Sequence, residues 1–361
     1  MKRRDFLKKA ATGSLLATGV AASAPALAVT KKRFNWKMVT TWAPNMPILQ
    51  QGVERFANDI EKMSDRSLRI SVYAAGELVP AMQSFDAVSQ GTAEMGHGAA
   101  YYWANKIPAA QFFTTVPFGM NAQGMNAWLY YGGGLKLWRE IYAPFNLVPL
   151  PMGNTGMQMG GWFRKKINSV ADLKGLKMHI PGLGGQVLAQ AGVTPVQLAD
   201  NEIVPALERG AIDAAEWINP FHDLRLGLQR AAKFCYYPGW HEPGPTLELT
   251  INRKAWSELP EELQLMVETA AAAANTWMLA EFEAKNIQVL QELKQKHKVE
   301  VLPFPDDVIK TLKRLTHNTL EAEAAKDAAF KQVYQAYRAF RDSNDGWSEI
   351  SEAAYARSLK L

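Results

Sequence analysis

Apolar positions along this chain change their spacing in a regular order. Met38 to Thr41 reads as a strand. Val53, Phe56, Ile60 and Met63 then recur at three- and four-residue steps, which predicts an amphipathic helix from Gln50 to Met63. Leu68 to Tyr73 alternates like a strand, Pro80 to Gly91 is helical through Met82, Phe85 and Val88, and Ala93 to His97 begins another strand. A second unit opens in the run Leu173 to Ile180, continues through a helix at Gln186 to Ala191 and a short strand at Pro195 to Leu198, and closes with a helix at Glu202 to Arg209 and a strand at Ala214 to Trp217. This alternation implies an α/β protein with mostly parallel sheets covered by helices. Pro260, with Glu261 and Glu262 beside it, starts a helical pattern that runs to about Lys296. That is several times the usual helix length of about 11–12 residues, so it must brace both halves of the molecule or meet a partner chain. Shorter helices are expected at Pro305 to Ala325 and Phe330 to Arg341.

The first residues form an address. Arg3-Arg4-Asp5-Phe6-Leu7-Lys8, an apolar run from Ala10 to Ala24, and Ala26-Leu27-Ala28 together read as a twin-arginine export signal cleaved after Ala28. The apolar run is too short for a permanent membrane anchor. The plain alternative is a basic tail on a cytosolic protein, which would require three separate features to coincide. The expected location is therefore a bacterial periplasm, reached already folded or with a metal or partner bound. The signal also accounts for the charge: Lys2, Arg3, Arg4, Lys8 and Lys9 against Asp5 carry +4 of the chain's net +5. The mature part is nearly neutral, with no clustered basic face for nucleic acid. The remaining 333 residues suggest two lobes rather than one core. Cys235, the single cysteine, allows no internal disulfide and reads as a core residue rather than a reactive thiol. No CxxC, HExxH or clustered histidine points to zinc or haem.

Three segments carry a resemblance. Glu77-Leu78-Val79-Pro80, the run Asp86-Ala87-Val88 through Gly91-Thr92-Ala93-Glu94, and Ala206-Leu207 through Gly210, Ile212-Asp213-Ala214 resemble the extracytoplasmic solute-binding proteins of TRAP transporters, the DctP-like family. The likeness covers essentially the whole mature chain. It sharpens at Gly153 to Phe163, and from Glu216-Trp217 to Tyr236-Tyr237-Pro238-Gly239-Trp240-His241-Glu242, which are similar to the branch that binds 2-oxo acids or lactate with a cation. The resemblance implies a two-lobed periplasmic binding protein of the type II kind with a long C-terminal helix. Lobe I would span 29–155 with a returning strand near 245–255, lobe II 156–243, and helices 256–361 would brace the lobes and a homodimer. Its partners would be a small organic acid and the membrane subunits of a TRAP permease, with hinge closure between lobes as the mechanism.

The residues give that expectation chemical content. Glu216 and Glu242 stand at element ends among aromatics, where two lone carboxylates are penalised unless a cation or donor neutralises them. Gln158 offers an amide oxygen and Trp217 a backbone carbonyl. Four hard oxygens suit Na⁺ or Ca²⁺, and the resemblance implies that this set is a cation site bridging protein and ligand. The competing reading is that Glu216 and Glu242 form salt bridges between lobes. His179 stands where the family usually carries an arginine that clamps the ligand carboxylate. A histidine donates at most one hydrogen bond there; otherwise the ligand needs no fork, or His179 is structural. As a ligand contact it predicts affinity that varies with pH between about 5.5 and 8. Pro181-Gly182-Leu183-Gly184-Gly185 reads as a turn leading into a helix whose amides can help hold an anion. Val187 breaks GxGxxG, which argues against a dinucleotide site. Tyr101, Phe221, Asn154 and Asn219 are further candidates for contacts in an apolar box. Two rival functions remain at this level: a lyase or hydrolase using Glu216 and Glu242 as an acid-base pair, for which no nucleophile-base constellation is visible, and a binding protein that reports its ligand to a sensor.

Overall fold

The computed structural model describes residues 32–360 apart from Ala199 and the side chain of Asn201. The export signal expected at 1–28 lies outside the described residues. Two sheets organise the chain. The first contains β1 (Phe34–Thr40), β2 (Leu68–Tyr73), β3 (Met95–Gly98), β4 (Leu147–Asn154) and β10 (Thr246–Asn252), in the order β2-β1-β3-β10-β4. β1 pairs in parallel with β2 and β3, while β10 runs antiparallel between β3 and β4. The second sheet contains β5 (Gly161–Phe163), β6 (Lys177–His179), β7 (Thr194–Val196), β8 (Ala214–Ala215), β9 (Phe234–Tyr237) and β11 (Glu300–Pro303), in the order β11-β9-β5-β8-β6-β7. The molecule is thus a two-lobed α/β binding-protein fold with one sheet per lobe.

Local sequence explains most elements. The helix Leu49–Met63 buries Val53, Phe56 and Ile60, whereas Met63, at the end of the same stripe, is exposed. β10 is buried at every position, because it is flanked by strands on both sides and covered on both faces. The long helix Glu261–Gln295 starts after Pro260 and carries Glu261 and Glu262 in its first turn, where acidic side chains meet the positive end of the helix dipole. Val267, Ala271, Met278 and Phe282 belong to the core around the first sheet, and Leu293 to a core around the second. One chain therefore covers this helix by letting it brace both lobes.

Three expectations change. The segment 256–361 is not helical throughout: β11 adds an edge strand parallel to β9. The glycines after Pro181 are not a turn; they form the first part of the helix Gly182–Gln190. Gly184 makes a close approach there, since a Cβ would sit 3.0 Å from the Cβ of His241 and the two would have to give by a few tenths of an ångström. The helix expected to end at Arg341 runs from Ala328 to Ile350 and is followed by Glu352–Ser358. No helix among the described residues is long and apolar enough to cross a membrane.

Candidate functional site

The chain passes from a strand of one sheet to a strand of the other at β4 to β5, through residues 155–160, at β9 to β10, through residues 238–245, and at β10 to β11, along the long helix. The first two crossings meet. The Gln158 amide N–H donates to the Glu242 carbonyl (3.1 Å), and a Cβ on Gly239 would lie 2.1 Å from the Gln158 carbonyl oxygen. Glycine is therefore the residue that lets the crossings touch. The second sheet brings its own residues to the same place. His179 ends β6 and Glu216 follows β8, two parallel neighbours, and the Glu216 N–H donates to the His179 carbonyl at 2.9 Å. Ligands of open α/β sheets gather at such carboxyl ends of strands.

Glu216, His241 and Glu242 are all buried, and each offers a ligand atom within 4.8 Å of the others. Burial pushes both carboxyls up to about 8, and Glu216 raises Glu242 further. Burial lowers His241 to about 4, only partly offset by Glu242. Its Nε2 stands 3.6 Å from Glu216 Oε2, too far for a good hydrogen bond. A neutral imidazole at that distance is not an ion pair. Among the described residues no lysine or arginine pairs with either carboxylate, so the salt-bridge reading finds no partner. Glu216 Oε1, Glu242 Oε2 and Gln158 Oε1 are buried and accept no hydrogen bond within the protein. Buried acceptors of this kind are costly unless something else satisfies them. Three oxygens with two formal charges fit a hard cation.

Beside this cluster lies a cavity of about 80 Å³ lined by Trp42, Tyr101, Gln158, His179, Glu216 and Trp217, among others. That is far below the roughly 300–1,000 Å³ typical of drug-sized sites, so its occupant is very small. A larger trough of about 600 Å³ around Tyr131 and Arg139 is an open surface feature away from these residues. The Leu198 N–H donates to His179 Nδ1 at 3.1 Å, which leaves Nε2 to carry the proton in the neutral ring. Burial lowers His179 to about 4, with a backbone contact at Val196 opposing. The pH window expected from the sequence is therefore displaced below the range where His179 titrates when unperturbed. Tyr101 faces the carboxylate pair; burial, then Glu242, holds its hydroxyl well above the usual range.

Not every expected residue comes to the cavity. Asn154 is fully buried and spent internally: its Nδ2 donates to the Gly244 carbonyl (3.1 Å), and its Oδ1 accepts from the Gly156 N–H (2.8 Å). It ties the two crossings together instead of facing a ligand. Phe221 lies against the long helix, with Lys285 over its ring at 4.7 Å and its own N–H on Asn286. Asn219 donates to the Thr155 carbonyl (3.2 Å) and keeps a buried, unpartnered Oδ1. Sequence reasoning missed His241, although it adjoins Glu242, and Thr155, whose Oγ1 accepts from Gln158 Nε2 at 3.2 Å. It also missed Trp42, a cavity wall whose indole N–H donates to His97 Nδ1 at 2.7 Å.

Two lobes, crossings that meet, and a small, mostly apolar cavity with a few buried polar groups at the strand ends define a solute-binding protein that encloses its ligand. Residues 38–327 match the bacterial extracellular solute-binding proteins, family 7 (DctP), and the chain belongs to that family. It is 44% identical, over 98% of both chains, to the monocarboxylate 2-oxoacid-binding periplasmic protein of Nostoc sp.. Among solved structures it is similar to a TRAP periplasmic solute-binding protein from Colwellia psychrerythraea with bound calcium and pyruvate (40% identity, TM-score 0.88, 91% of this chain and 100% of that one). It is equally similar to one from Pseudoalteromonas atlantica with bound sodium and pyruvate (39%, 0.87, 91% and 99%). A third, from Bordetella bronchiseptica, is a mixed-occupancy dimer with calcium and picolinate in one site (37%, 0.88, 91% and 97%).

Proposed function

We propose that this protein is the periplasmic solute-binding component of a TRAP transporter. It captures a small 2-oxo or 2-hydroxy monocarboxylate together with Na⁺ or Ca²⁺ and delivers it to the membrane permease. The observation that carries this reading is the set of three unsatisfied buried oxygens on Glu216, Glu242 and Gln158, of which Glu216 and Gln158 line a cavity too small for a larger solute. Glu216, Glu242, Gln158 and the Trp217 carbonyl would hold the cation. When bound, the cation neutralises the two carboxylates and offers a charge to which an oxo acid chelates through its carboxylate and keto oxygens. His179 Nε2–H donates one hydrogen bond to that carboxylate in place of an arginine fork. Tyr101 closes the apolar side. The donor set sits where the lobes join, so loading is coupled to closure.

The protein acts as a carrier and leaves its ligand chemically unchanged. It reaches the periplasm through the twin-arginine signal. It works as a homodimer, a reading supported by Trp347, Ile350, Tyr355 and Leu359, each at least 62% exposed near the C-terminus; a monomer mass by light scattering at micromolar concentration would count against it. The function is tested by a thermal-shift screen of small 2-oxo and 2-hydroxy acids with and without Na⁺ or Ca²⁺. Acid and cation together should raise Tm by mass action. No shift with any acid in the presence of either cation would contradict the reading.

A further inference from the structure

The cavity has two ends of different chemistry. At one end Tyr101 faces the Glu216 and Glu242 pair, whose charges act on its hydroxyl. Its neighbour Tyr102, with ring centroids 4.9 Å apart in an edge contact, also feels Glu242 and Glu216, but the carboxylate that acts on it most strongly is Asp200. Asp200 lines the same cavity together with Tyr102, Gln197 and Leu198. It opens the helix Asp200–Arg209, two residues after the Leu198 N–H that fixes His179. Among the described residues no lysine, arginine or histidine pairs with it. Besides Glu216, the ligand cavity is thus lined by a further carboxylate, Asp200, outside the Glu216, His241 and Glu242 cluster and with no cationic partner among the described residues.

We propose that Asp200 is the charge filter of this site, excluding solutes that carry a second carboxylate. The proposal rests on the reading of the cavity as a site for a 2-oxo monocarboxylate. With the ligand's first carboxylate at the cation and His179, its distal group points towards Tyr102 and Asp200. An apolar or hydroxyl group there is tolerated. A distal carboxylate meets a like charge inside a poorly hydrated cavity, where such a juxtaposition is strongly unfavourable. Size alone does not supply this discrimination, because an isopropyl group occupies about the space of a carboxylate.

The test compares oxaloacetate with its monocarboxylate isostere, in which an isopropyl group replaces the distal carboxylate. Calorimetry with calcium present would be run on the wild type, Asp200→Asn and Asp200→Ser. Asparagine keeps the volume and the helix-start chemistry, so it isolates charge; serine is the second variant, and the melting curve of each checks folding. The expected result is that wild type prefers the isostere, and that Asp200→Asn narrows the ratio by about tenfold or more through tighter oxaloacetate binding. An unchanged ratio in both variants would overturn the filter while leaving the site reading intact. Weaker binding of the isostere without a gain for oxaloacetate would also overturn it, making Asp200 a ligand hydrogen-bond acceptor. Failure of the wild type to bind the isostere while it binds pyruvate would overturn the filter, making size the discriminator; failure to bind pyruvate would contradict the site reading itself, and the filter with it.

Discussion

Glu248 and the Glu216–Glu242 pair are both buried carboxylates with no lysine or arginine beside them among the described residues, and they are built in opposite ways. Glu248, on β10, accepts from the Trp103 indole N–H on one oxygen and from the Tyr142 hydroxyl (2.9 Å) on the other. Its burial is met from within the lobe, although it still raises the carboxyl to about 7. Glu216 and Glu242 stand together with an oxygen each left without a donor. The first arrangement is complete and belongs to the core. The second is completed only by something brought from outside. A buried charge tells little until its hydrogen bonds are traced; once they are, structure and site separate.

The contrast can be broken most sharply by substitution. Glu216→Gln should weaken ligand binding by about a hundredfold or more, since it removes a charge from the cation's shell, while Tm of the ligand-free protein holds or rises. Calorimetry and melting curves on one preparation decide this; unchanged affinity would remove the cation bridge. Glu248→Leu should do the reverse. It strands two buried donors, at a cost of about 1–3 kcal/mol each, which denaturant unfolding would show, with affinity nearly unchanged.

The pH dependence sharpens the same contrast. The folded, ligand-free protein holds protons on Glu216 and Glu242 up to about 8, whereas the unfolded chain loses them near 4.5. The folded state then binds more protons in that window, so stability falls as pH rises from about 4.5 to 8. Glu248 adds to this slope up to about 7. Cation and acid favour the charged carboxylates, so binding should release protons and flatten the part of the slope due to the pair, leaving the part due to Glu248 and to Asp223, which burial raises to about 8. Calorimetry in buffers of different ionisation heat would detect the released protons; none released below pH 7 would count against the pair as ligands. His179 should contribute least. Its titration lies near 4, so His179→Ala should cost roughly tenfold in affinity, the worth of about one hydrogen bond. The variation of affinity between pH 6 and 8 should survive that change. A profile flattened by His179→Ala would show that the histidine titrates in that range after all.

Much of the fold was legible in the sequence because its signals are local. Leu68 to Tyr73 alternates and is β2. Pro260 with its two glutamates marks the start of the long helix, whose end falls within a residue of the expected one. β11 was not legible: four residues pairing on one side with β9 carry no pattern beyond their partner. The glycines at 182–185 read as a turn because sequence does not show that His241 packs against Gly184. The site divided along the same line. Glu216, Glu242, Gln158, Trp217, His179 and Tyr101 meet around one cluster and its cavity. Asn154 and Phe221 are near in sequence but turned away, since whether an amide is free or already hydrogen-bonded depends on residues about ninety positions distant, such as Gly244 and Thr246.

The central claim is that the cation completes the Glu216 and Glu242 cluster and makes the acid site. Its most direct test is calorimetric titration of pyruvate into chelator-stripped, salt-exchanged protein, repeated after adding Ca²⁺ or Na⁺. The account predicts no measurable binding without either cation and saturable one-site binding once one is restored. Equal affinity in both titrations would contradict it.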